Sequence, residues 1–312
     1  MRGLSLVVLA GPTGVGKTPA AIAFAEAVGA EIVCADSRTL YRGMDIGTAK
    51  PTAQDRARVP HHLLDVARPD EVVTLADYQR LARRAIEVIR GRGRLPLLVG
   101  GSGLHIRAVV DGLEIPPAEP DWNLRETLEA EERAGGPGLL HGRLREVDPA
   151  AAARIHPSNL RRIIRALEVH AKTGVPISVL QRATDPPSHR AERGSVTMIA
   201  LAVDRARLYD RIHRRIDEQL AAGLVEEVRA LVGARYPKTL PALQGVGYKE
   251  LIPYVEGSLS LEESTALIRR NTRRYAKRQL TWFRNDPRYR WLDVADDPPD
   301  AVADRIQAVI RG

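Results

Sequence analysis

Eight residues near the start of the chain have the types and spacing of a phosphate-binding loop. They follow the apolar run Leu4–Ala10, precede a helix-like stretch, and match the pattern G-x-x-x-x-G-K-[ST]. Glycines let backbone N–H groups turn towards phosphate oxygens, a lysine adds a positive charge, and a hydroxyl can bind Mg²⁺. The pattern predicts a diphosphate or triphosphate site without naming the molecule, and its residues are Gly11, Pro12, Thr13, Gly14, Val15, Gly16, Lys17 and Thr18.

Asp36 is a candidate for proton transfer. It directly follows the apolar run Glu31–Ala35, so its carboxylate should face the phosphate loop if this run is a strand of the same parallel sheet. Its position alone leaves three roles open: general base, helix N-cap, or outer ligand of magnesium.

The end of the apolar run Leu95–Val99 departs from the pattern of an ATPase. Gly100 stands in the place where the magnesium-binding acid of an ATPase would be expected. This argues against an ordinary ATPase. It suggests that the diphosphate is a leaving group rather than part of a transferred phosphoryl group.

The basic residues point to a polyanionic partner. The chain has 47 Lys and Arg against 39 Asp and Glu, a net charge of +8. Net charge alone does not decide for nucleic acid, but three clusters with little interleaved acid favour nucleic-acid contact. The longest also carries Tyr275, Trp282 and Phe283. The clusters are Arg161, Arg162 and Arg165 near Asn159; Arg207, Arg211, Arg214 and Arg215; and Arg269, Arg270, Arg273, Arg274, Lys277 and Arg278.

The composition excludes several classes of protein. At 312 residues and 44% apolar content the chain can bury an ordinary core, and no apolar run approaches the roughly 18 residues of a membrane span. The single cysteine, Cys34, excludes internal disulfides and Cys-rich zinc sites. We interpret His61 and His62 as structural because no ligand at metal spacing lies nearby. The absence of a signal-peptide pattern and the single cysteine predict a cytoplasmic protein.

Strands alternating with helices predict an α/β fold, a parallel sheet of the P-loop NTPase type flanked by helices. At Ile115 a proline-rich linker begins, and the chain then looks helical until a second break at Asp185–Ser188. We therefore predict an all-helical insertion at 116–190 between the two parts of the core, 1–115 and 191–312. The predicted strands are Leu4–Ala10, Glu31–Ala35, Leu95–Val99, Val196–Val203 and a last one near Arg290–Val294.

Several long stretches resemble the tRNA dimethylallyltransferase (isopentenyl-tRNA transferase) family. They occur in order along most of the chain and are Asp36–Pro51, Pro60–Asp65, Leu98–Ser102, Arg165–Val169, Gly245–Lys249 and Tyr275–Arg284. The resemblance implies a magnesium-dependent enzyme that moves a dimethylallyl group from dimethylallyl diphosphate onto N6 of the adenosine 3′ to the tRNA anticodon. It also implies that the helical insertion contacts the anticodon stem-loop. The eukaryotic zinc finger is missing, so the chain resembles the compact bacterial form, and we expect a monomer that does not contact membranes.

The resemblance also implies roles for individual residues. Asp36 matches the general base, and Ser102 stands where the family usually has a threonine that helps to hold the target nucleotide. Arg215 matches an arginine that contacts the diphosphate, and Arg211 is a weaker candidate. Together with the basic clusters, the resemblance predicts tRNA contacts for Asp36, Ser37, Arg38, Thr39, Ser102, Arg161, Arg162, Arg165, Gln244, Gly245, Val246, Gly247, Tyr248, Lys249, Lys277 and Arg278.

Two other functions compete with prenyl transfer. A P-loop kinase for a small metabolite would use Asp36 to activate a hydroxyl, but it gives no reason for the basic clusters or the insertion. A non-catalytic RNA-binding module would use the basic clusters but leaves the phosphate loop without a role.

Overall fold

A computed structural model describes residues 4–116, 118–182 and 195–311. Within these ranges six strands form one sheet in the order β3-β2-β4-β1-β5-β6, and every neighbouring pair is parallel. This confirms the predicted parallel α/β sheet. The strands are β1 (Leu4–Ala10), β2 (Glu31–Cys34), β3 (His61–His62), β4 (Pro96–Gly100), β5 (Ser195–Ala202) and β6 (Tyr289–Asp293).

Helices account for most of the remaining described chain, and none of those described is long and apolar enough to cross a membrane. Capping boxes start two of the long ones: Thr74 and Ser260 each accept a hydrogen bond from a backbone N–H three residues later. The helices are α1 (Lys17–Val28), α2 (Ala53–Arg58), α3 (Leu75–Gly91), α4 (Gly103–Val110), α5 (Trp122–Gly135), α6 (Leu139–Val147), α7 (Pro149–Arg154), α8 (Leu160–Thr173), α9 (Ile177–Arg182), α10 (Arg205–Ala221), α11 (Leu224–Gly233), α12 (Tyr248–Val255), α13 (Leu261–Arg284) and α14 (Pro299–Arg311).

The sheet is buried on both faces, which explains why its central strands are continuous apolar runs. Alternate residues of β1 enter two different cores: Val7 and Leu9 pack in one, and Leu6 and Val8 in the other. Because β2, β4 and β1 are neighbours, the segments that follow them meet at one edge of the sheet. That edge carries the phosphate loop, Asp36 and the Gly100–Gly103 turn.

The described residues fall into two compact units, one within 1–111 and 191–312 and one within 112–190. The second unit contains α5–α9 around its own apolar core, in which Leu140, Leu144 and Ile163 are fully buried. The division after residue 111 comes four residues before the predicted one after 115. The other predicted boundary, after residue 190, lies outside the described residues.

Candidate active site

The phosphate loop connects β1 to α1 at the carboxyl edge of the sheet. Gly14 and Gly16 have φ angles of +82° and +100°, a conformation that other residues rarely adopt. A Cβ atom on Gly14 would also lie 2.9 Å from Cγ1 of Ile212 on α10. Backbone conformation and close packing thus both require glycine at position 14.

The Lys17 side chain folds back over the loop. Its Nζ atom donates hydrogen bonds to the carbonyl oxygens of Gly11 (3.0 Å) and Pro12 (2.8 Å). Burial and, to a smaller extent, the Arg215 guanidinium lower the pKa of Lys17 to about 7, while the Asp36 carboxylate acts in the opposite direction. Binding of an anion beside Lys17 would therefore strongly stabilise the charged form of this side chain.

Arg215 reaches the loop from α10. Its Nη1 atom is 3.4 Å from Oγ1 of Thr13, which lies 202 residues earlier in the chain. Burial lowers the pKa of Arg215, and the Asp36 carboxylate raises it. The fold thus brings Lys17, Arg215 and Asp36 into one electrostatic neighbourhood, whereas Arg211 donates to the carbonyls of Val15 (3.2 Å) and Ala295. Arg211 therefore stabilises the backbone conformation of the loop through the Val15 carbonyl.

Asp36 follows β2 and is half-buried. Its Oδ1 atom accepts a hydrogen bond from the backbone N–H of Arg38 at 2.8 Å. The next helix in the described chain is α2, whose N-cap is Thr52. The helix-cap interpretation of Asp36 is therefore wrong, and the roles of general base or outer magnesium ligand stay open on geometry alone.

Close packing of β2 against β4 explains why no acid occupies position 100. A Cβ atom on Gly100 would lie 2.0 Å from the carbonyl oxygen of Ala35. The backbone N–H of Ser102 donates to the same oxygen at 3.2 Å. This hydrogen bond joins Ser102, which follows β4, to Ala35, the residue that directly precedes Asp36 at the end of β2.

Gln279 joins two of the three loops, and sequence reasoning missed it. Its Oε1 atom accepts from the Thr13 N–H, and its Nε2 atom donates to the Gly101 carbonyl, both at 2.9 Å. The side chain is buried, so both ends of the amide are satisfied without water. The only sequence signal was one neutral amide within the strongly basic stretch Tyr275–Arg284 of α13.

His105 is a second residue that sequence reasoning missed. Its Nδ1 atom lies 2.7 Å from Oγ of Ser102. Burial lowers the pKa of His105 to about 4, opposed by Asp36 and reinforced by Arg38. The imidazole is therefore neutral at physiological pH and stands beside the hydroxyl that was predicted to hold a nucleotide.

The Gln244–Lys249 segment divides into exposed and buried side chains. Gln244 and Lys249 are exposed, whereas Tyr248 is 1% exposed and its hydroxyl donates to Glu227 at 2.6 Å. Glu227 also accepts the backbone N–H groups of residues 45–47 at 2.8–3.0 Å. A tRNA contact by the Tyr248 side chain is therefore wrong, because this ring is a core support for the 45–47 loop.

The Asp36–Thr39 segment divides in a similar way. Arg38 donates to the Pro241 carbonyl, which brings this segment next to the 241–249 segment. Thr39 is 7% exposed, and its hydroxyl has no hydrogen-bond partner among the described residues. The tRNA contact of the Thr39 side chain stays a prediction, while the half-buried Ser37 and Arg38 are accessible.

The structure separates the predicted basic residues into paired and unpaired ones. Arg165 pairs with Glu168 (2.5 Å), Arg269 with Asp217 (2.5 Å) and Arg207 with Asp204 (3.2 Å). Phe283 is fully buried, so it cannot stack on a base. Among the basic residues predicted to contact nucleic acid, those that are exposed and form no ion pair within the described ranges are Arg161, Arg162, Arg214, Arg270, Arg274, Lys277 and Arg278.

Within the described residues no three His, Cys, Asp or Glu side chains group closely enough to hold a metal ion. His62 instead pairs with Glu31 at 2.7 Å. Cys34 is buried, and burial raises the pKa of its thiol to about 12. A magnesium ion at the phosphate loop would therefore take few protein ligands, of which the half-buried Thr18 beside Lys17 is the predicted hydroxyl.

Comparison with known proteins gave consistent matches. A family profile described as IPP transferase matches residues 39–286. The chain is 52% identical over 308 residues to the tRNA dimethylallyltransferase of Symbiobacterium thermophilum, covering 99% of this chain and 94% of that protein. It is 48% identical over 291 residues to the protein of the same name from Geobacter sulfurreducens, covering 92% and 91%.

Solved structures give the same result. The full-length tRNA isopentenylpyrophosphate transferase of Bacillus halodurans matches with a TM-score of 0.72 at 42% identity, covering all of this chain and 96% of that one. A eukaryotic dimethylallyltransferase acting on tRNA matches with a TM-score of 0.77 at 25% identity, covering 99% and 78%.

Proposed function

The chain belongs to the IPP transferase family, and on this premise we propose that it transfers a dimethylallyl group from dimethylallyl diphosphate to tRNA. The finer part of the proposal is that the acceptor is N6 of the adenosine 3′ to the anticodon. The observation that carries the proposed transfer is the meeting of Lys17, Arg215 and Asp36 at one edge of the sheet. Two cations suit a departing diphosphate, and one carboxylate suits a departing proton.

The chemistry assigns a different task to each group. Adenine N6 is a weak nucleophile because its lone pair is delocalised into the ring. As the new C–N bond forms and the allylic C–O bond breaks, Asp36 accepts the N6 proton. Lys17, Arg215 and the loop N–H groups stabilise the negative charge that accumulates on the diphosphate.

Magnesium is part of the proposal. Mg²⁺ commonly binds through one or two protein groups together with substrate phosphates. Thr18 offers a hard hydroxyl oxygen beside the phosphate loop, which fits such an ion, and the substrate phosphates would supply further ligands. When bound, the ion would neutralise charge on the leaving diphosphate.

The competing functions are set aside by the family membership, since a kinase or a binding module does not transfer a prenyl group. We further propose that the protein acts as a monomer in the cytoplasm. The phosphate loop, the carboxylate and Arg215 all come from one chain, so the proposed site needs no partner subunit. A single buried cysteine suits a reducing compartment.

The proposed function is tested by incubating the protein with magnesium, unmodified tRNA and dimethylallyl diphosphate. Digestion to nucleosides and mass spectrometry should show an adenosine carrying one added dimethylallyl group. Sequencing of the modified fragment locates it relative to the anticodon. An unmodified nucleoside profile, with tRNA bound, would contradict catalysis, and ATP hydrolysis without tRNA would favour the kinase.

Diphosphate binding should depend on pH through Lys17. In the free protein the pKa of Lys17 is about 7, and an anion bound to its ammonium group raises that pKa. Affinity for pyrophosphate should therefore be full below pH 7 and fall as the pH rises above it, with a proton taken up on binding. Calorimetry in two buffers of different ionisation enthalpy measures this uptake.

Pyrophosphate has its own ionisations, so the control for this titration is Lys17→Ala. That variant keeps Arg215 and Asp36, the other charged groups that act on Lys17. Its proton uptake should reflect the ligand alone. Identical uptake by both proteins would contradict a titrating Lys17.

One face of α13 should contact the tRNA backbone. Arg270, Arg274, Lys277 and Arg278 recur at helical spacing, are exposed and form no ion pair within the described ranges. The double variant Arg270→Ala/Arg274→Ala should bind tRNA more weakly and lower the slope of log K against log salt by about 1 for each phosphate group that is no longer bound. Filter binding at several salt concentrations measures both.

Arg84→Ala is the matched control for the α13 variant, because Arg84 is an exposed arginine on a different helix, α3. It should leave the salt slope unchanged. If both variants lowered the slope equally, the α13 face would have no special part in binding.

A further inference from the structure

Ser102 occupies the N-cap position of α4 but does not cap the helix. An N-cap serine normally accepts a hydrogen bond from a backbone N–H of the first turn. Here no such side-chain bond exists, and Oγ lies 2.7 Å from Nδ1 of His105, three residues later. The hydroxyl therefore contacts the imidazole instead of a backbone N–H of the first turn.

The His105 ring is held in place by groups that belong to the same corner of the site. Tyr78 of α3 contacts it edge to face, with ring centroids 4.4 Å apart and an angle of 65°. The Tyr78 hydroxyl donates to the carbonyl of Cys34 at 3.1 Å, two residues before Asp36. Tyr78 is fully buried and thereby connects the end of β2 with the ring that contacts Ser102.

We propose that His105 is a positioning residue whose Nδ1 accepts a hydrogen bond from the Ser102 hydroxyl. Ser102 Oγ then offers its lone pairs to the acceptor amine. This inference rests on the proposed function. A primary aromatic amine has two N–H groups, of which only one is lost on alkylation. Asp36 takes that proton, and Ser102 Oγ holds the hydrogen that stays on nitrogen. A serine hydroxyl can accept in this way while its own proton is donated elsewhere.

The electrostatics of the corner agree with this assignment. A protonated imidazole could not accept at Nδ1, and burial together with Arg38 keeps the pKa of His105 at about 4 although Asp36 acts in the opposite direction. The ring therefore remains an acceptor over the whole physiological pH range. The second ring nitrogen, Nε2, carries the proton in the tautomer that the proposal requires.

Two substitutions separate accepting from packing. His105→Phe keeps an aromatic ring against Tyr78 but removes the acceptor, and kcat should fall by ~10-fold, the effect of one misdirected hydrogen bond. Its KM for dimethylallyl diphosphate should not change. His105→Asn replaces Nδ1 with an amide oxygen and should keep most of the activity. Equal losses in both variants would overturn the acceptor role, and so would an unchanged kcat in His105→Phe.

A double-mutant cycle tests whether His105 acts through Ser102. In a Ser102→Ala background, His105→Phe should cause no further loss of kcat, because the hydroxyl that it directs is already absent. Losses that multiply would overturn the proposal. Thermal unfolding of each variant identifies any loss that reflects misfolding.

The tautomer gives a test that does not depend on activity. In the ¹⁵N NMR spectrum of the full-length protein, Nδ1 of His105 should have the shift of an unprotonated nitrogen and Nε2 that of a protonated one. The Ser102→Ala variant should move the Nδ1 resonance. The opposite tautomer in the wild type would overturn the inference. If the wild-type protein failed to prenylate tRNA, the proposed function would fail separately.

Discussion

Replacing Asp36 with Asn is expected to lower kcat by ~10²- to 10⁴-fold, the usual contribution of a positioned general base. The amide has nearly the same shape as the carboxylate and can still accept the Arg38 N–H, so the turn after β2 should persist. It cannot take a proton from an amine at neutral pH. Single-turnover prenylation with saturating tRNA and dimethylallyl diphosphate measures the loss.

Affinity for tRNA distinguishes a catalytic role of Asp36 from a structural one. Asp36→Asn should bind tRNA nearly as tightly as the wild type, because removing a negative charge does not weaken contacts with phosphates. Asp210→Asn is the matched control: Asp210 is an exposed aspartate on α10 and should tolerate the change without loss of kcat. A wild-type kcat in Asp36→Asn would remove Asp36 as the base.

Lys17→Ala is expected to weaken binding of dimethylallyl diphosphate by ~10- to 100-fold, because a charge-assisted hydrogen bond is worth about 1.5–3 kcal/mol. The chemical step should slow as well, by ~10²-fold or more, since the same ammonium stabilises charge on the leaving diphosphate. Calorimetry with pyrophosphate and single-turnover kinetics separate the two effects.

The tRNA affinity of Lys17→Ala is the internal control. Lys17 lies within the loop, bonded to the Gly11 and Pro12 carbonyls, and not on an exposed basic face. Its removal should therefore leave tRNA binding almost unchanged. An equal loss of affinity for tRNA and diphosphate would argue against a separate diphosphate site.

Residues whose roles depend on local backbone could be predicted from the sequence. The phosphate loop needs glycines at fixed offsets, and Gly14 and Gly16 indeed have the positive φ angles that make them necessary. The place of Thr74 before a periodic apolar run predicts an N-cap, and Thr74 does cap α3. Strand bounds differed by one residue at β2, β4, β5 and β6, because pattern alone does not locate the last paired residue.

Resemblance to a family identified segments but not the tasks of single side chains. The Gln244–Lys249 and Asp36–Thr39 segments contain both accessible residues and core residues, and Tyr248 and Thr39 belong to the core. A shared motif preserves a residue for packing as readily as for contact with a substrate. Burial, which depends on the whole fold, was needed to separate the two.

The sequence by itself predicted a phosphate-binding loop and determined the parallel sheet and the carboxylate just after β2, because these follow from residue patterns within short stretches of the chain. Tertiary structure alone decided which distant side chains complete the site. Gln279 bonds to Thr13 across 266 positions of the chain, and Arg215 approaches the same residue across 202. No local pattern encodes such contacts, since they exist only once α10 and α13 have packed beside the loop.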